Sequence, residues 1–322
     1  MKRATVFLGI LVFLVGVVPS VAEASPADPG PYTWAEFETS LFDASRDRAM
    51  EVLVLFPQGE QGQGILSRPL IVFNHGFLLS AVGYRSYGEH LASHGFVVAM
   101  PTFPMTFLNV HHAKLAEDVR FVIDFLLEAA KDPSHALYDR IDPARLGVSG
   151  HSLGGKLSLL EAVTDDRIRA AAVLDPVDEG NPLWSDLVRY PSVAPERMPQ
   201  LEFPLLVIGA ELGSVLITFS PCAPEDENYQ RFYEAANPPA IEVTQLDVGH
   251  GQYVDEGASK TPDPCAIGDV PSAWVRAASA SYMTAFFLWT LADLQAADKW
   301  LDERLTADES AGKILVRRKD GE

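Results

Sequence analysis

The sequence predicts an α/β fold: a mostly parallel central sheet with helices on both faces. Three observations carry this expectation. Apolar runs of strand length alternate with stretches of helical periodicity, an order that lays helices on both sides of a sheet. Several of the runs, at residues 70–73, 97–100 and 205–208, are apolar throughout, as suits strands covered on both faces. Residues 145–155 then read as a short strand, a glycine-flanked turn exposing Ser152, and the start of a helix carrying Leu157, Leu159, Leu160 and Val163.

Composition bounds the function. The 322 residues are 48% hydrophobic and 21% charged, enough for a sizeable core in one domain. A net charge of −19 argues against a nucleic-acid partner and against steering to anionic membranes, since both need clustered Lys and Arg. At the N-terminus Lys2 and Arg3 precede an apolar run over residues 6–18, and Ala22-Glu23-Ala24 fits a small-residue cleavage pattern. This is a secretion signal, with cleavage expected after Ala24. The run is too short to span a bilayer, so no stable membrane anchor is expected once it is removed. Two cysteines, Cys222 and Cys265, fall in the exported part, where an even pair favours one bridge over two free thiols. Such a bridge would close a loop containing His250 and stabilise by roughly 4 kcal/mol at most in the chain-entropy view.

The expected organisation is a signal peptide (1–24), an extended N-terminal leader (25–44), one catalytic domain (45–310) and a loose charged tail (311–322). Residues 51–57 form the first strand, and the glycines at 59, 62 and 64 a surface turn that lacks nucleotide-binding spacing. The strand at 69–74 runs into His75-Gly76-Phe77, with His75 read as a structural hydrogen-bonding residue. In the helix over residues 84–94, His90 and His94 lie four apart without a third ligand, so a solvated face is expected rather than a metal site. After the next strand, Phe103, Met105 and Phe107 are candidates for an apolar substrate wall, with Trp184 further on. His111 and His112 are read as loop or helix-entry residues. Leu115, Val119, Val122, Ile123 and Leu126 give the stripe of a helix packed on the sheet. Another strand stops at Asp175-Pro176. The proline-punctuated segment 180–203 is expected to shape a pocket. Two further strands, at 203–209 and 240–246, lead to Glu211 and to Asp247-Val248-Gly249-His250. A long helix from Pro271 carries Val275, Tyr282, Phe286 and Trp289.

Gly150-His151-Ser152-Leu153-Gly154 fits G-x-S-x-G, the nucleophile elbow of α/β-hydrolases. The tight turn lifts the serine hydroxyl above the sheet, and the amide of Leu153 at the helix start faces a developing oxyanion. A second amide is expected from the loop after the 69–74 strand, at Phe77. A serine needs a base to take its proton and an acid to hold the base in one tautomer. Of the eight histidines only His250 follows the last strand, flanked by glycines. Asp175, ending the strand after the elbow helix, is the favoured acid. Glu211 is the alternative, with Asp178 one turn further out and Asp247 read as a turn cap. This chemistry needs neither metal nor cofactor.

Phe73-Asn74-His75-Gly76-Phe77, Gly150-His151-Ser152-Leu153-Gly154-Gly155-Lys156, Leu174-Asp175-Pro176-Val177, the Val207 to Gly213 stretch, Pro221-Cys222-Ala223-Pro224 and Gly249-His250 together resemble chlorophyllases and related carboxylesterases. Platelet-activating-factor acetylhydrolase-like and dienelactone-hydrolase-like enzymes are similar more distantly. The resemblance covers roughly residues 45–270 and implies an α/β-hydrolase fold. It further implies Asp175 as triad acid, a Cys222–Cys265 bridge, and hydrolysis of chlorophyll to chlorophyllide and phytol. Plant chlorophyllases commonly carry Arg where this chain has Leu153. A polyester- or lipid-ester hydrolase of the same fold is the alternative substrate reading. A non-catalytic binding module is the alternative from another class.

Overall fold

The computed structural model describes residues 24–58, 67–106, 109–178, 186–217, 220–258 and 264–321, so all of the expected signal peptide but Ala24 lies outside the described residues. Nine strands form one sheet in the order β1-β2-β4-β3-β5-β6-β7-β8-β9. They are β1 (Trp34–Asp43), β2 (Arg48–Pro57), β3 (Arg68–Asn74), β4 (Val97–Thr102), β5 (Ile141–His151), β6 (Ile168–Leu174), β7 (Leu205–Ala210), β8 (Ala240–Gln245) and β9 (Ile314–Lys319). The six from β3 to β8 run parallel, while β1, β2 and β9 pair antiparallel at the two sides.

Because side chains alternate across a strand, each apolar run feeds two cores. Leu70 and Val72 of β3 face one core, and Ile71 and Phe73 the other. The first core lies under α2 (His112–Ala129), α3 (Leu153–Ala162) and α4 (Tyr229–Ala235). The second is covered by α1 (Arg85–Ser93), α5 (Ser272–Ala292) and α6 (Gln295–Ser310). Helices on both faces of a mostly parallel sheet are what the sequence predicts.

Both ends of the chain correct the expected organisation. The leader does not stand apart from the domain: β1 pairs with β2 over ten residues and turns Phe37 and Leu41 toward the core. The tail is not loose either, since β9 pairs with all of β8. Arg317 on β9 forks onto the buried Glu242 carboxylate of β8, with one contact at 2.8 Å. Edge strands expose one face, so their mixed polar sequence hides the apolar alternation. His90 and His94 also differ from expectation. They donate to the carbonyls of Pro26 and Asp28 (2.9 Å each) and fasten the segment before β1 to α1.

Candidate active site

The serine turn is set by backbone contact. An added Cβ at Gly154 would lie 2.0 Å from the Asn74 carbonyl oxygen, and one at Gly150 2.6 Å from the same atom. Strand β3 and helix α3 therefore approach so closely that only glycine fits on either side of the turn. Ser152 takes φ 56°, ψ −124°, a conformation sparsely populated by residues with a Cβ. Its amide donates to the Leu174 carbonyl (3.0 Å), and its own carbonyl accepts from Lys156 N (3.2 Å). The hydroxyl is left partly exposed at the carboxyl edge of the sheet, with Leu153 N at the first turn of α3.

Asp175 follows β6 directly, with φ 39° and its amide bonded to the Ile208 carbonyl. Its carboxylate is fully buried. One oxygen accepts from Ala210 N (3.2 Å) and the other from His250 Nδ1 (2.7 Å). A carboxylate can only accept, so Nδ1 carries the proton and Nε2 is the acceptor. That nitrogen lies 2.9 Å from Ser152 Oγ. Residues 75 and 98 positions apart along the chain thus form one hydrogen-bonded line. Glu211 is elsewhere: its carboxylate accepts from Asp247 N (2.7 Å). Asp247 in turn accepts from Asp269 N (3.0 Å), the turn-holding part expected of it. Asp178 pairs with the fully buried Lys156 (3.2 Å) and accepts from Ser192 Oγ, Val193 N and Ala194 N. It thereby anchors the described part of the 180–203 segment.

The loop after β3 is fixed by side chains bonded to its backbone. His75 Nδ1 donates to the Gly76 carbonyl (2.7 Å), and Nε2 accepts from Phe103 N (2.9 Å). Burial pushes this imidazole down to about 4, so it stays neutral in that role. In a trans peptide the N–H points opposite to the C=O, so holding the Gly76 carbonyl against His75 directs the Phe77 amide away from that ring. Phe103 is 3% exposed and packs its ring 5.1 Å from His75, which makes it core rather than substrate wall. Met105 is partly buried, its sulfur accepting from Leu78 N at 3.5 Å. Phe107 and Trp184 lie outside the described residues.

The histidine turn rests on supports that sequence reasoning missed. Gln252 accepts from Gly249 N (2.7 Å) and Gly268 N (2.8 Å), and donates to the Val270 carbonyl (2.6 Å). A Cβ at Gly249 would fall 1.7 Å from the Ala266 carbonyl oxygen. The 265–270 segment is thus pressed onto the His250 turn. Cys265 within it is bridged to Cys222, with Cα atoms 5.6 Å apart. On the other side of the bridge, Ala223 N donates to the Gly213 carbonyl (2.9 Å), and Gly213 lies against the Asp175 carboxylate. The disulfide joins the surroundings of Asp175 to those of His250. A polar residue two places after a glycine-flanked histidine was the available signal for Gln252.

Among the described residues, no group of three metal-ligating side chains occurs, and no helix is long and apolar enough to cross a membrane. The parallel sheet, the serine turn after β5, and the later arrival of Asp175 after β6 and His250 after β8 define an α/β-hydrolase. The chain belongs to the chlorophyllase family, whose model matches residues 26–295. It is 25% identical to chlorophyllase-2 of Arabidopsis thaliana over 201 residues, 58% of this chain and 61% of that protein. The chain therefore spans about three fifths of the length of the first plant relatives it matches. It is also similar to bacterial cutinases. Cutinase est2 of Thermobifida alba is 29% identical over 75% of this chain and 80% of its own length. Cutinase cut1 of Thermobifida fusca is 28% identical over 83% and 75%.

Proposed function

We propose that the protein is an exported serine carboxylesterase of apolar esters, with Ser152 as nucleophile, His250 as base and Asp175 as the acid that orients it. The observation that carries this reading is the line from the Asp175 carboxylate through His250 to Ser152 Oγ, at 2.7 and 2.9 Å. His250 takes the hydroxyl proton as Oγ attacks the ester carbonyl. Asp175 then stabilises the imidazolium. The amides of Leu153 and Phe77 stabilise the oxyanion, and His250 returns the proton to the leaving alcohol. Water attacks the acyl-enzyme by the same route and frees Ser152. The test is labelling with a fluorophosphonate: the wild type is expected to react at Ser152. Ser152→Ala is expected to lose labelling and about 10^5–10^6 of kcat while keeping its fold. Retained p-nitrophenyl ester hydrolysis in that variant overturns the assignment.

For the substrate, a polyester or lipid ester is favoured over chlorophyll. The cutinase alignments span more of both chains than those with the Arabidopsis chlorophyllases. Phe77, Leu78, Leu187, Val188, Val215, Leu216, Ile217 and Ile267 are all exposed. They lie on loops that leave the carboxyl ends of β3, β6, β7 and β8, the edge that carries Ser152, and such a rim suits an apolar partner. Release of acids from a polyester film or a triacylglycerol emulsion should exceed release of phytol from chlorophyll. The reverse ranking selects the chlorophyllase reading. Export is supported by the Cys222–Cys265 bridge, which belongs to an oxidising compartment. Mass spectrometry of the mature protein should find Ser25 as its first residue.

A further inference from the structure

His151, inside the serine motif, contributes no atom to the Asp175–His250–Ser152 line, yet both of its ring nitrogens are committed. Nε2 lies 2.9 Å from the carbonyl oxygen of His250. That oxygen can only accept, so Nε2 carries the proton and Nδ1 is an acceptor. The hydroxyl of Tyr84 donates to Nδ1 at 2.7 Å, and its oxygen accepts from Gly76 N at 3.2 Å. A chain of hydrogen bonds therefore runs from the loop that carries Phe77 to the backbone of the base, through one phenol and one imidazole. The His151 ring also lies 4.5 Å from the ring of His250 and 5.4 Å from that of Tyr253. Residues 84 and 151 are both buried, and a Cβ at Gly76 would touch the Tyr84 oxygen at 3.0 Å and His151 Nδ1 at 3.3 Å.

We infer that His151 and Tyr84 are positioning residues, which lock the oxyanion-side loop and the backbone of His250 into one unit so that base and oxyanion amide are aligned together. This rests on the serine-esterase reading above. The physical need is clear from the chemistry. His250 becomes cationic in each proton transfer, so the ring that lies against it must not carry a charge of its own. His151 meets this by holding one neutral tautomer, fixed by a donor on one nitrogen and an acceptor on the other. Burial holds its protonation well below the usual imidazole range. Loss of the Tyr84 hydroxyl would leave His151 Nδ1 without its donor and Gly76 N–H without that acceptor. Loss of the His151 nitrogens would release the His250 carbonyl. Either change moves groups that act in the transition state and leaves the substrate rim untouched.

The experiment is a double-mutant cycle of His151→Phe and Tyr84→Phe, with active sites counted by fluorophosphonate titration and kinetics measured on a soluble p-nitrophenyl ester. His151→Phe is expected to lower kcat by about tenfold or more, and Tyr84→Phe by about threefold or more, as for buried hydrogen bonds lost. KM should stay within about twofold in both. The double variant should be no slower than His151→Phe alone, because both changes break one chain of bonds. Losses that multiply, losses seen only in KM, or an unchanged kcat in His151→Phe overturn the inference. If His151→Phe does not fold, Tyr84→Phe decides alone, an unchanged kcat overturning the inference. Ser152→Ala run alongside separates the two levels. If it is inactive while His151→Phe is fully active, only this inference fails; if it is active, the serine-esterase reading itself fails.

Discussion

Ser152 and His250 sit 2.9 Å apart but are held there by different means. The serine turn is built from main chain: two glycines against the Asn74 carbonyl, a strained φ, and amide bonds to Leu174 and Lys156. The histidine turn shares one such contact, at Gly249, but is otherwise held by side chains: Gln252 of the turn itself, the bridged Cys265 and His151. Main-chain constraints dictate residue types at fixed spacing. Side-chain supports dictate only that some partner reach the right place. The first kind of support is rigid and intolerant, whereas the second can be loosened by degrees.

Several experiments would break or sharpen this contrast. The largest effect is expected from Asp175→Asn, which keeps the shape but gives His250 the wrong tautomer. Its kcat should fall by about 10^4, while Glu211→Gln stays within a few-fold. A greater loss from Glu211→Gln would move the acid to the other loop. Next, Gly154→Ala places a methyl 2.0 Å from a carbonyl oxygen with no flexible side chain to yield. Destabilisation of about 4 kcal/mol or more in a urea titration is expected. An unchanged midpoint would mean that the elbow is not set by main-chain contact. Removing the bridge with Cys222→Ala and Cys265→Ala together should cost up to about 4 kcal/mol, since it spans 43 positions. It should also slow kcat in the fraction that stays folded, because the wall behind His250, the base of the proposed mechanism, is released. Full activity with lowered stability would show that the bridge acts on the unfolded chain alone.

The smallest effect is a pH dependence. The His75 imidazole is at about 4 in the fold against an ordinary 6.5, so between these values the unfolded chain binds the extra proton. Stability is therefore complete above pH 6.5 and falls as the pH drops toward 4, by about 3 kcal/mol from this group. His112, pushed down to about 3 by burial, acts in the same direction. Urea midpoints at pH 7.5 and 5, compared between wild type and His75→Asn, would show the slope and its partial loss.

The same contrast explains what could be read beforehand. The elbow was legible because Gly150 and Gly154 are forced by contact. The positions of Asp175 and His250 were legible because Asp175 directly follows a strand of recognisable pattern and His250, flanked by glycines, follows the last such strand. The two edge strands were not, since one solvated face dilutes the apolar alternation of residues 34–43 and 314–319. Phe103 was misplaced because the chain direction after β4 does not reveal that its ring turns under His75. Tyr84 was invisible for another reason: its partners Gly76 and His151 lie on other elements, and nothing nearby in sequence requires it.

The Phe77 peptide has a consequence for engineering. In the proposed mechanism its amide serves the reaction, while its ring, 38% exposed, stands at the mouth. The amide is aimed by the grip of His75 on the preceding carbonyl and needs nothing from the ring. Trimming or enlarging that ring should therefore reshape which esters enter without retuning how they are cleaved, making residue 77 a natural first position for a selectivity library.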